Sequence, residues 1–363
     1  MIPAAHAPIQ PSPLQEASGP QACSQPGAAD PASRAVRWQQ LWRDAVRDPR
    51  ELLALLGLED SKGVFDEGAQ ASAAALQFPL RVPHGFVSRM RRGDWNDPLL
   101  RQVLPLDEEM RPVPGFSLDA VGDGAAKAGD GVIRKYRGRA LLVTTGSCAV
   151  HCRYCFRRHF PYAQETAAAA GWRVAVDLIR GDPTIDEVIL SGGDPWSLAT
   201  PKLAELSDAL ASAPHLKRLR VHTRLPVVLP ERVDQPLLEW IDGLPWPVTV
   251  VLHANHAAEF DASVDAAMAR LRAAGATLLN QAVLLRGVND SVDALVELSE
   301  RGYAAGVLPY YLHQLDRVQG AAHFEVADAE ARRLHAAVAE RLSGYLVPRL
   351  VRETAGDTGK RPL

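Results

Sequence analysis

Residues 139–155 read RALLVTTGSCAVHCRYC, an apolar, β-branched run that leads directly into three closely spaced cysteines. Five similar runs follow, so we predict strands at residues 139–145, 187–190, 218–223, 249–253, 277–285 and 307–312. Helical patterns alternate with them at residues 163–180, 201–213, 231–241, 257–274, 291–305 and 327–343. Six βα repeats with apolar strands predict an α/β fold, in which helices cover a parallel sheet.

Six βα units are fewer than the eight of a closed barrel, and we therefore predict an open, partial (βα)6 barrel. A doubly wound open sheet is the alternative. In both folds, functional groups gather at the C-terminal ends of the strands. Unusual residues lie at the ends of the predicted strands: Cys148 follows the first strand, Ser191-Gly-Gly-Asp194 follows the second, and His253 is the last residue of the fourth.

Composition divides the chain into four predicted parts. Residues 1–34 are rich in Pro, Ala, Gln and Ser and predict a disordered leader, in which Cys23 would be a surface thiol. Residues 35–130 predict a helical N-terminal subdomain with helices from Ala35, from Pro49 and over 83–104, followed by a loop over 112–130. Residues 131–345 would form the partial barrel, and residues 346–363 a C-terminal segment.

The composition also narrows the class of partner. The chain has 363 residues, 47% hydrophobic and 23% charged, with a net charge of -3. Acidic and basic residues are interspersed, which predicts no nucleic-acid groove and no binding to an anionic membrane. No apolar run suits a membrane helix or a signal peptide. We expect a cytoplasmic protein that acts on a small molecule.

Three of the four cysteines, Cys148, Cys152 and Cys155, lie within eight residues. Thiolates are the usual ligands of iron-sulfur clusters, and three of them on a four-iron cluster leave one iron open to substrate. The alternative is a zinc site completed by His151 or His159, although zinc sites usually combine paired Cys-x-x-Cys motifs from two segments. The spacing favours the iron-sulfur cluster.

The pattern Cys-x-x-x-Cys-x-x-Cys, with an aromatic residue before the last cysteine, resembles the signature of the radical S-adenosylmethionine superfamily. The resemblance implies that the open iron of a 4Fe-4S cluster chelates S-adenosyl-L-methionine, which the reduced cluster splits to a 5'-deoxyadenosyl radical. Ser191, Gly192, Gly193 and Asp194 resemble the glycine-rich strand end that approaches S-adenosylmethionine in that superfamily.

The resemblance narrows to lysine 2,3-aminomutases, and within them to the short bacterial type that makes (R)-β-lysine for elongation factor P. It is carried by the segments CRYCFRRHFPY (152–162), HANH (253–256), LNQ (279–281), LRGVND (285–290), PYYLH (309–313), QGAAHF (319–324) and SGYLVP (343–348). It implies an isomerase that converts L-α-lysine to (R)-β-lysine through the radical and a pyridoxal 5'-phosphate aldimine. Lys360, in GDTGK (356–360), matches the cofactor lysine.

Further roles follow only from this resemblance. It implies that a stretch formed by Lys135, Tyr136 and Arg139 binds the cofactor phosphate. Arg157 matches the arginine that binds the substrate carboxylate, for which a guanidinium is well suited. Asp290 and Glu353 match the two acidic residues that bind the ε-ammonium of lysine. Glu353 replaces an aspartate of the family, which affects the expected substrate range.

The implied partners are L-lysine, a reductant such as flavodoxin or ferredoxin, and indirectly elongation factor P and its ligase. Longer catabolic aminomutases carry C-terminal cysteines that bind zinc between subunits, whereas no cysteine follows Cys155. We therefore expect a monomer or a loose dimer. Two other functions stay open, a catabolic or other amino acid 2,3-aminomutase, and a non-catalytic iron-sulfur or zinc-binding sensor.

Overall fold

The computed structural model describes residues 38–58, 73–163, 165–170 and 172–363. The predicted leader, residues 1–34 with Cys23, lies outside these ranges. The described residues form one central sheet with helices packed against it, and a series of short helices precedes the sheet in the chain.

The N-terminal part consists of short helices. They are residues 38–43 (α1), Pro49–Leu56 (α2), Ala73–Gln77 (α3), His84–Val87 (α4) and Pro98–Arg101 (α5). Helix α2 begins where the Asp48 side chain accepts the Arg50 N–H and Pro49 takes the first helical position. It ends at Gly57, whose φ of 64° is the left-handed conformation that glycine adopts at little cost.

The prediction of one helical segment over residues 83–104 is wrong, because two single-turn helices take its place. Gly93 has a φ of 72°, which a continuous helix cannot contain. Further along, the Asp97 carboxylate accepts the N–H groups of Leu99 and Leu100 and so starts a new helix. Leu52, Phe86 and Leu99 are fully buried in the same apolar cluster as the sheet.

The sheet contains ten strands that lie side by side in chain order. They are Lys127–Gly129 (β1), Val132–Ile133 (β2), Arg139–Thr145 (β3), Glu187–Gly192 (β4), Arg218–Thr223 (β5), Val248–Leu252 (β6), Thr277–Val283 (β7), Leu308–His313 (β8), Arg349–Arg352 (β9) and Arg361–Pro362 (β10). Strands β3 to β9 are parallel, whereas β1, β2 and β10 pair antiparallel at the two sides.

This strand order decides between the two predicted topologies. A doubly wound sheet reverses its strand order at a switch point, whereas strands β1 to β10 follow one another without reversal. Side chains of β3, β4, β5, β7 and β8 also line one common cavity, so the sheet curves around it. The predicted partial barrel is confirmed, and the doubly wound alternative is wrong.

All six predicted strands are present, but the sheet is larger than predicted. Strand β1 lies within residues 112–130, which we predicted as loop. Strands β9 and β10 lie in the predicted C-terminal segment, so the chain end belongs to the sheet. Strand β9 pairs with β8 through Tyr311 and Arg349 and through His313 and Val351. These strands have two to four residues each, and neighbouring strands rather than their own sequence define them.

The remaining helices are Arg173–Gly181 (α6), Thr200–Leu210 (α7), Leu225–Val228 (α8), Gln235–Asp242 (α9), Ala262–Ala273 (α10), Val292–Ala304 (α11) and Asp328–Arg341 (α12). Three of them, α6, α9 and α10, begin at least four residues later than predicted. Helix α6 follows a separate 3-10 turn at Ala167–Ala170. The Asp234 carboxylate caps α9, and the Asp261 carboxylate caps α10, by accepting backbone N–H groups of the first helical turn.

In the part of the chain that the structure describes, no helix combines the length and apolar character that crossing a bilayer requires.

Candidate active site

A cavity of about 250 Å³ lies inside the curved sheet. Its lining includes side chains from successive strands, among them Arg139, Ser191, His222, Gln281 and His313. Every site residue predicted from the sequence lines this cavity, with the exception of Asp290. Residues 148–155 and residues 353–360 are about 200 positions apart in the chain and both reach the same space.

The loop after β3 presents Cys148, Cys152 and Cys155 to the cavity as free thiols. Burial first, and the Cys155 thiol second, raise the pKa of Cys148 well above its ordinary value. Burial and then Cys152 raise the pKa of Cys155 to about 11. Such thiols lose their protons when a cation binds them directly, as iron does. The donor set therefore fits a cluster with three thiolate ligands.

Contacts from distant segments hold this loop in place. Trp42 Nε1 and Arg81 Nη1 each donate to the Cys148 carbonyl at 3.2 Å. Arg224 Nη1 donates to Cys152 Sγ at 2.8 Å. The other guanidinium nitrogen of Arg224, Nη2, donates to the buried Glu259 carboxylate at 2.9 Å. The N-terminal helices and the strand ends thus fix the loop together.

The two histidines of the zinc alternative do not line the cavity. His151 Nδ1 lies 2.7 Å from the Pro79 carbonyl, and its ring stacks on Phe78. His159 Nε2 lies 3.1 Å from the Gln319 carbonyl. Among residues 38–58, 73–163, 165–170 and 172–363, no three His, Cys, Asp or Glu side chains are arranged to share one metal ion. A four-iron cluster binds each thiolate through a separate iron, so its ligands need not converge on one point.

The glycine-rich end of β4 touches the cysteine loop directly. A Cβ atom on Gly192 would lie 2.7 Å from the Thr145 carbonyl oxygen, and one on Gly193 would lie 2.5 Å from the Ser147 carbonyl oxygen. Both residues must therefore be glycine for the strand end and the loop to approach so closely. Gly192 and Gly193 also line the cavity beside the three thiols.

Asp194 has its acceptors engaged within the protein. Its buried carboxylate accepts the Thr223 hydroxyl and the N–H groups of Trp196, Arg224 and Leu225 at 2.7 to 3.1 Å. Asp194 lines the cavity, and these bonds tie the end of β4 to the end of β5.

Lys360 enters the cavity from the chain end. Its Nζ lies 3.0 Å from His313 Nε2, 3.5 Å from Glu353 Oε2 and 5.1 Å from the centre of the Tyr311 ring. Burial lowers the pKa of Lys360, although Glu353 opposes this shift. Burial and then the Lys360 charge lower the pKa of His313 well below its ordinary value. A buried amine with a lowered pKa is a better nucleophile near neutrality, which suits a Schiff-base lysine.

Glu353, Lys135, Asp123 and Arg157 form consecutive ion pairs along one wall. Lys135 Nζ lies 2.8 Å from Glu353 Oε1 and 2.6 Å from Asp123 Oδ1, and Arg157 Nε donates to Asp123 Oδ2 at 2.7 Å. Burial alone would raise the pKa of Asp123, but the neighbouring Arg157 and Lys135 charges hold it below its ordinary value. Arg157 Nη1 also donates to Ser191 Oγ at 3.1 Å.

Tyr136 and Arg139 lie beside this wall. The Arg139 guanidinium carbon is 4.7 Å from the centre of the Tyr136 ring. Arg139 Nε is buried and has no hydrogen-bond partner within the described part of the chain. An unpartnered guanidinium nitrogen at a cavity is a ready donor to an anionic ligand.

The structure does not bring Asp290 to the cavity, which corrects the expected ammonium site. The Asp290 carboxylate accepts the Gly287 N–H at 2.8 Å and stabilises the turn that follows β7. Asp316 lines the cavity instead, and its Oδ1 has no hydrogen-bond partner among the described residues. Burial, followed by the Glu353 charge, raises the pKa of Asp316 to about 7.

Sequence reasoning missed other lining residues, among them Asp123, Asp316, His222 and Gln281. Asp123 lies in a segment that looked like an irregular loop, where nothing in the pattern distinguished it. Asp316 follows β8 by three residues, so the rule that functional groups follow parallel strands could have indicated it. His222 lies near the end of β5, and Gln281 Nε2 lies 2.8 Å from His253 Nε2. His222 Nε2 and Gln281 Oε1 are buried without partners in the described chain.

Known proteins are similar to this chain over most of its length. The chain is 47% identical over 326 residues to the L-lysine 2,3-aminomutase of Escherichia coli K12, a match that covers 90% of this chain and 94% of that protein. It is 42% identical over 334 residues to the L-lysine 2,3-aminomutase of Haemophilus influenzae, covering 91% and 97%. No family model matches. Among solved structures, a radical SAM methyltransferase from Sphaerobacter thermophilus has a TM-score of 0.42 at 17% identity, covering 61% of this chain and 68% of that chain.

Proposed function

The chain belongs to the L-lysine 2,3-aminomutase family, and from this we propose that it is an isomerase that converts L-α-lysine to (R)-β-lysine by radical chemistry. One observation carries the proposal: the three cysteines, the glycine-rich strand end and Lys360 line a single cavity. A radical generator and a group that holds the migrating nitrogen must act on the same substrate molecule. One enclosed space meets that requirement.

We assign the iron-sulfur cluster to Cys148, Cys152 and Cys155, and S-adenosylmethionine to the space beside Gly192 and Gly193. The cluster and S-adenosylmethionine together supply a 5'-deoxyadenosyl radical, and pyridoxal 5'-phosphate supplies a conjugated ring that stabilises unpaired spin. The protein contributes position and exclusion of water. Both glycines line the cavity together with the three cysteines, which supports this assignment.

Lys360 is the proposed attachment point of pyridoxal phosphate. Burial lowers the pKa of Lys360, which favours the nucleophilic amine, and His313 Nε2 lies 3.0 Å from its Nζ. For the phosphate, Arg139 is the best-supported residue because its buried Nε has no hydrogen-bond partner among the described residues. Tyr136 packs against this guanidinium and limits its freedom.

L-Lysine carries a carboxylate at one end and an ammonium at the other, and the cavity offers charges of both signs. Arg157 is the proposed partner of the carboxylate, since a guanidinium binds a carboxylate through paired hydrogen bonds. For the ε-ammonium we propose Asp316 together with Glu353. The unpartnered oxygen of Asp316 supports this choice, because a buried carboxyl with a raised pKa gains most from a bound cation.

In its cellular role we propose that the enzyme supplies β-lysine to the ligase that modifies elongation factor P. The match to the Escherichia coli and Haemophilus influenzae proteins covers 94% and 97% of their lengths, which supports an enzyme of similar extent. Flavodoxin or ferredoxin is the proposed reductant. The cytoplasm is the proposed location, since clustered free cysteines suit a reducing compartment. A catabolic role or another amino acid substrate is the alternative to be tested.

The test is an anaerobic assay of the protein loaded with iron, sulfide and pyridoxal phosphate. Dithionite, S-adenosylmethionine and L-lysine are added, and chiral chromatography with mass spectrometry measures (R)-β-lysine. We expect product from the wild type and none from Cys152→Ala or Lys360→Ala. Formation of 5'-deoxyadenosine without β-lysine would reject lysine as substrate, and other amino acids would then be supplied to the same assay.

If neither product forms on a fully loaded cluster, the enzyme proposal is wrong and a sensor role gains support. Lys360→Ala gives a further distinction in that case. A sensor has no need of a Schiff base, so loss of the pyridoxal absorbance in this variant would count against a sensor.

A further inference from the structure

Five charged side chains that line the cavity form a chain of alternating sign. In order they are Arg157, Asp123, Lys135, Glu353 and Lys360, and the separations of their charged atoms are 2.7, 2.6, 2.8 and 3.5 Å. The exposed fractions of these side chains are between 3% and 19%. Removing Asp123 would leave the buried Arg157 without its counter-charge, which is costly, and removing Lys135 would break the link between Asp123 and Glu353.

The environment of Lys135 argues against the phosphate role that the sequence resemblance implies. An ammonium has three N–H donors. Lys135 Nζ donates to Glu353 Oε1 and to the Val121 carbonyl at 2.8 Å each, and it forms an ion pair with Asp123 Oδ1 at 2.6 Å. A phosphate at Lys135 would therefore compete with two carboxylates for the same ammonium. Arg139, in contrast, has a buried nitrogen that is free of protein partners in the described residues.

Asp123 connects Lys135 with Arg157, to which the sequence resemblance gives separate roles, phosphate binding and carboxylate binding. One carboxylate oxygen contacts Lys135, and the other accepts the Arg157 N–H. Its position in the segment before β1 makes that segment a wall of the site. Through Lys135, Asp123 also influences where Glu353 lies relative to Lys360.

We propose that Asp123 and Lys135 are positioning residues which together hold Arg157 and Glu353 in place for the substrate, and that Lys135 is not a ligand of the cofactor phosphate. The inference rests on the proposed function, because it concerns the same cofactor and substrate. It predicts that loss of Lys135 affects lysine recognition and leaves phosphate recognition intact.

The first experiment measures phosphate recognition without turnover. Absorbance titrations give the dissociation constants of pyridoxal phosphate and of pyridoxal, which lacks the phosphate, for each variant of the cluster-loaded protein. The dissociation constant of pyridoxal divided by that of pyridoxal phosphate isolates the phosphate contribution, and we call this quotient the phosphate ratio. We expect Lys135→Gln to change this ratio by less than about threefold, whereas Arg139→Gln should lower it by about tenfold or more, as expected for loss of a charge-assisted hydrogen bond.

The second experiment measures lysine recognition. We expect Lys135→Gln and Asp123→Asn each to raise the KM for L-lysine by about tenfold or more, because Asp123→Asn leaves the Arg157 charge without its ion-pair partner and Lys135→Gln removes the contact that orients Asp123 and Glu353. The double variant should be little worse than either single one, since both belong to one chain of ion pairs. Asp123→Glu, which keeps the charge, should recover part of the loss. Circular dichroism and thermal unfolding verify that each variant folds.

Two results would overturn the inference. One is a fall in the phosphate ratio of Lys135→Gln as large as that of Arg139→Gln, since Lys135 would then bind phosphate. The other is an unchanged KM in folded Asp123→Asn. Failure of the proposed function gives a different pattern: the wild type would make no β-lysine, while an unchanged phosphate ratio in Lys135→Gln would still support the exclusion of Lys135.

Discussion

Gly193 lies where the end of β4 meets the loop that carries Cys148, and we predict that Gly193→Ala will displace that loop. The added Cβ would lie 2.5 Å from the Ser147 carbonyl oxygen and 2.8 Å from the Gly146 carbonyl carbon. Both atoms belong to the backbone, so no side-chain rotation can relieve the contact. The loop or the strand end must move.

The required movement follows from the distances. Ordinary contact begins at about 3.4 Å, so the Ser147 oxygen and the new Cβ must separate by about 0.9 Å. Short bonds resist this movement, since Gly193 donates its N–H to Thr145 at 2.6 Å and Asp194 donates to Ser147 at 2.7 Å. A misplacement of about 1 Å at a reacting centre costs on the order of a hundredfold in rate.

The assay measures cleavage of S-adenosylmethionine to 5'-deoxyadenosine under reducing conditions. We expect a loss of about a hundredfold in Gly193→Ala, together with weaker S-adenosylmethionine binding. Gly181→Ala is the matched control, because its Cβ would meet nothing within 4 Å. That variant should retain the wild-type rate within about twofold. Wild-type cleavage by a folded Gly193→Ala protein with a full iron content would refute the reasoning.

Three further predictions concern the acidic and basic groups of the cavity. Asp316→Asn should raise the KM for L-lysine about tenfold or more in initial-rate kinetics. Asp290→Asn should leave this KM within about twofold of the wild-type value, because the asparagine oxygen can still accept the Gly287 N–H. Equal effects of the two variants would contradict the assignment of the ammonium site to Asp316. The pKa of Asp316 is about 7 in the folded protein against an ordinary 3.8 in the unfolded chain. Between about pH 4 and pH 7 the folded protein therefore holds a proton that the unfolded chain has released, so its free energy of unfolding falls as the pH rises. The melting temperature of Asp316→Asn minus that of the wild type, both without cofactors, should therefore be larger at pH 8 than at pH 5, and a constant difference would count against the raised pKa. His313→Phe removes the acceptor 3.0 Å from Lys360 and should slow attachment of pyridoxal phosphate by about tenfold to a hundredfold, as followed by Schiff-base absorbance; an unchanged rate would exclude His313 from that step.

Much of the fold could be predicted because strands and helices leave local patterns. Strand β5 has the predicted bounds Arg218–Thr223, and the α/β repeat was evident from six apolar runs. The short strands β1, β9 and β10 leave no such pattern, since they depend on hydrogen bonds to neighbouring strands. The helix starts at α9 and α10 were displaced because Asp234 and Asp261 cap the helices at positions that apolar periodicity does not reveal.

The sequence by itself determined the three-cysteine motif, because the spacing of ligands within eight residues is a property of the covalent chain. It also placed the glycine-rich turn directly after a strand, and both features carried the resemblance to the family. The tertiary structure decided which acidic group faces the substrate space. Asp290 and Asp316 both follow parallel strands, yet one supports a turn and the other lines the cavity.

The partners of Lys135 show most clearly which contacts the sequence does not reveal. Glu353, which contacts the Lys135 ammonium, lies 218 positions away in the chain, and Asp123 lies in a segment without a recognisable pattern. A resemblance assigns a role to a residue by its position in a motif. Charge pairing depends on distance in space. Only the curvature of the sheet brings these groups within reach of one another, because it places the segment before β1 beside the segment after β9.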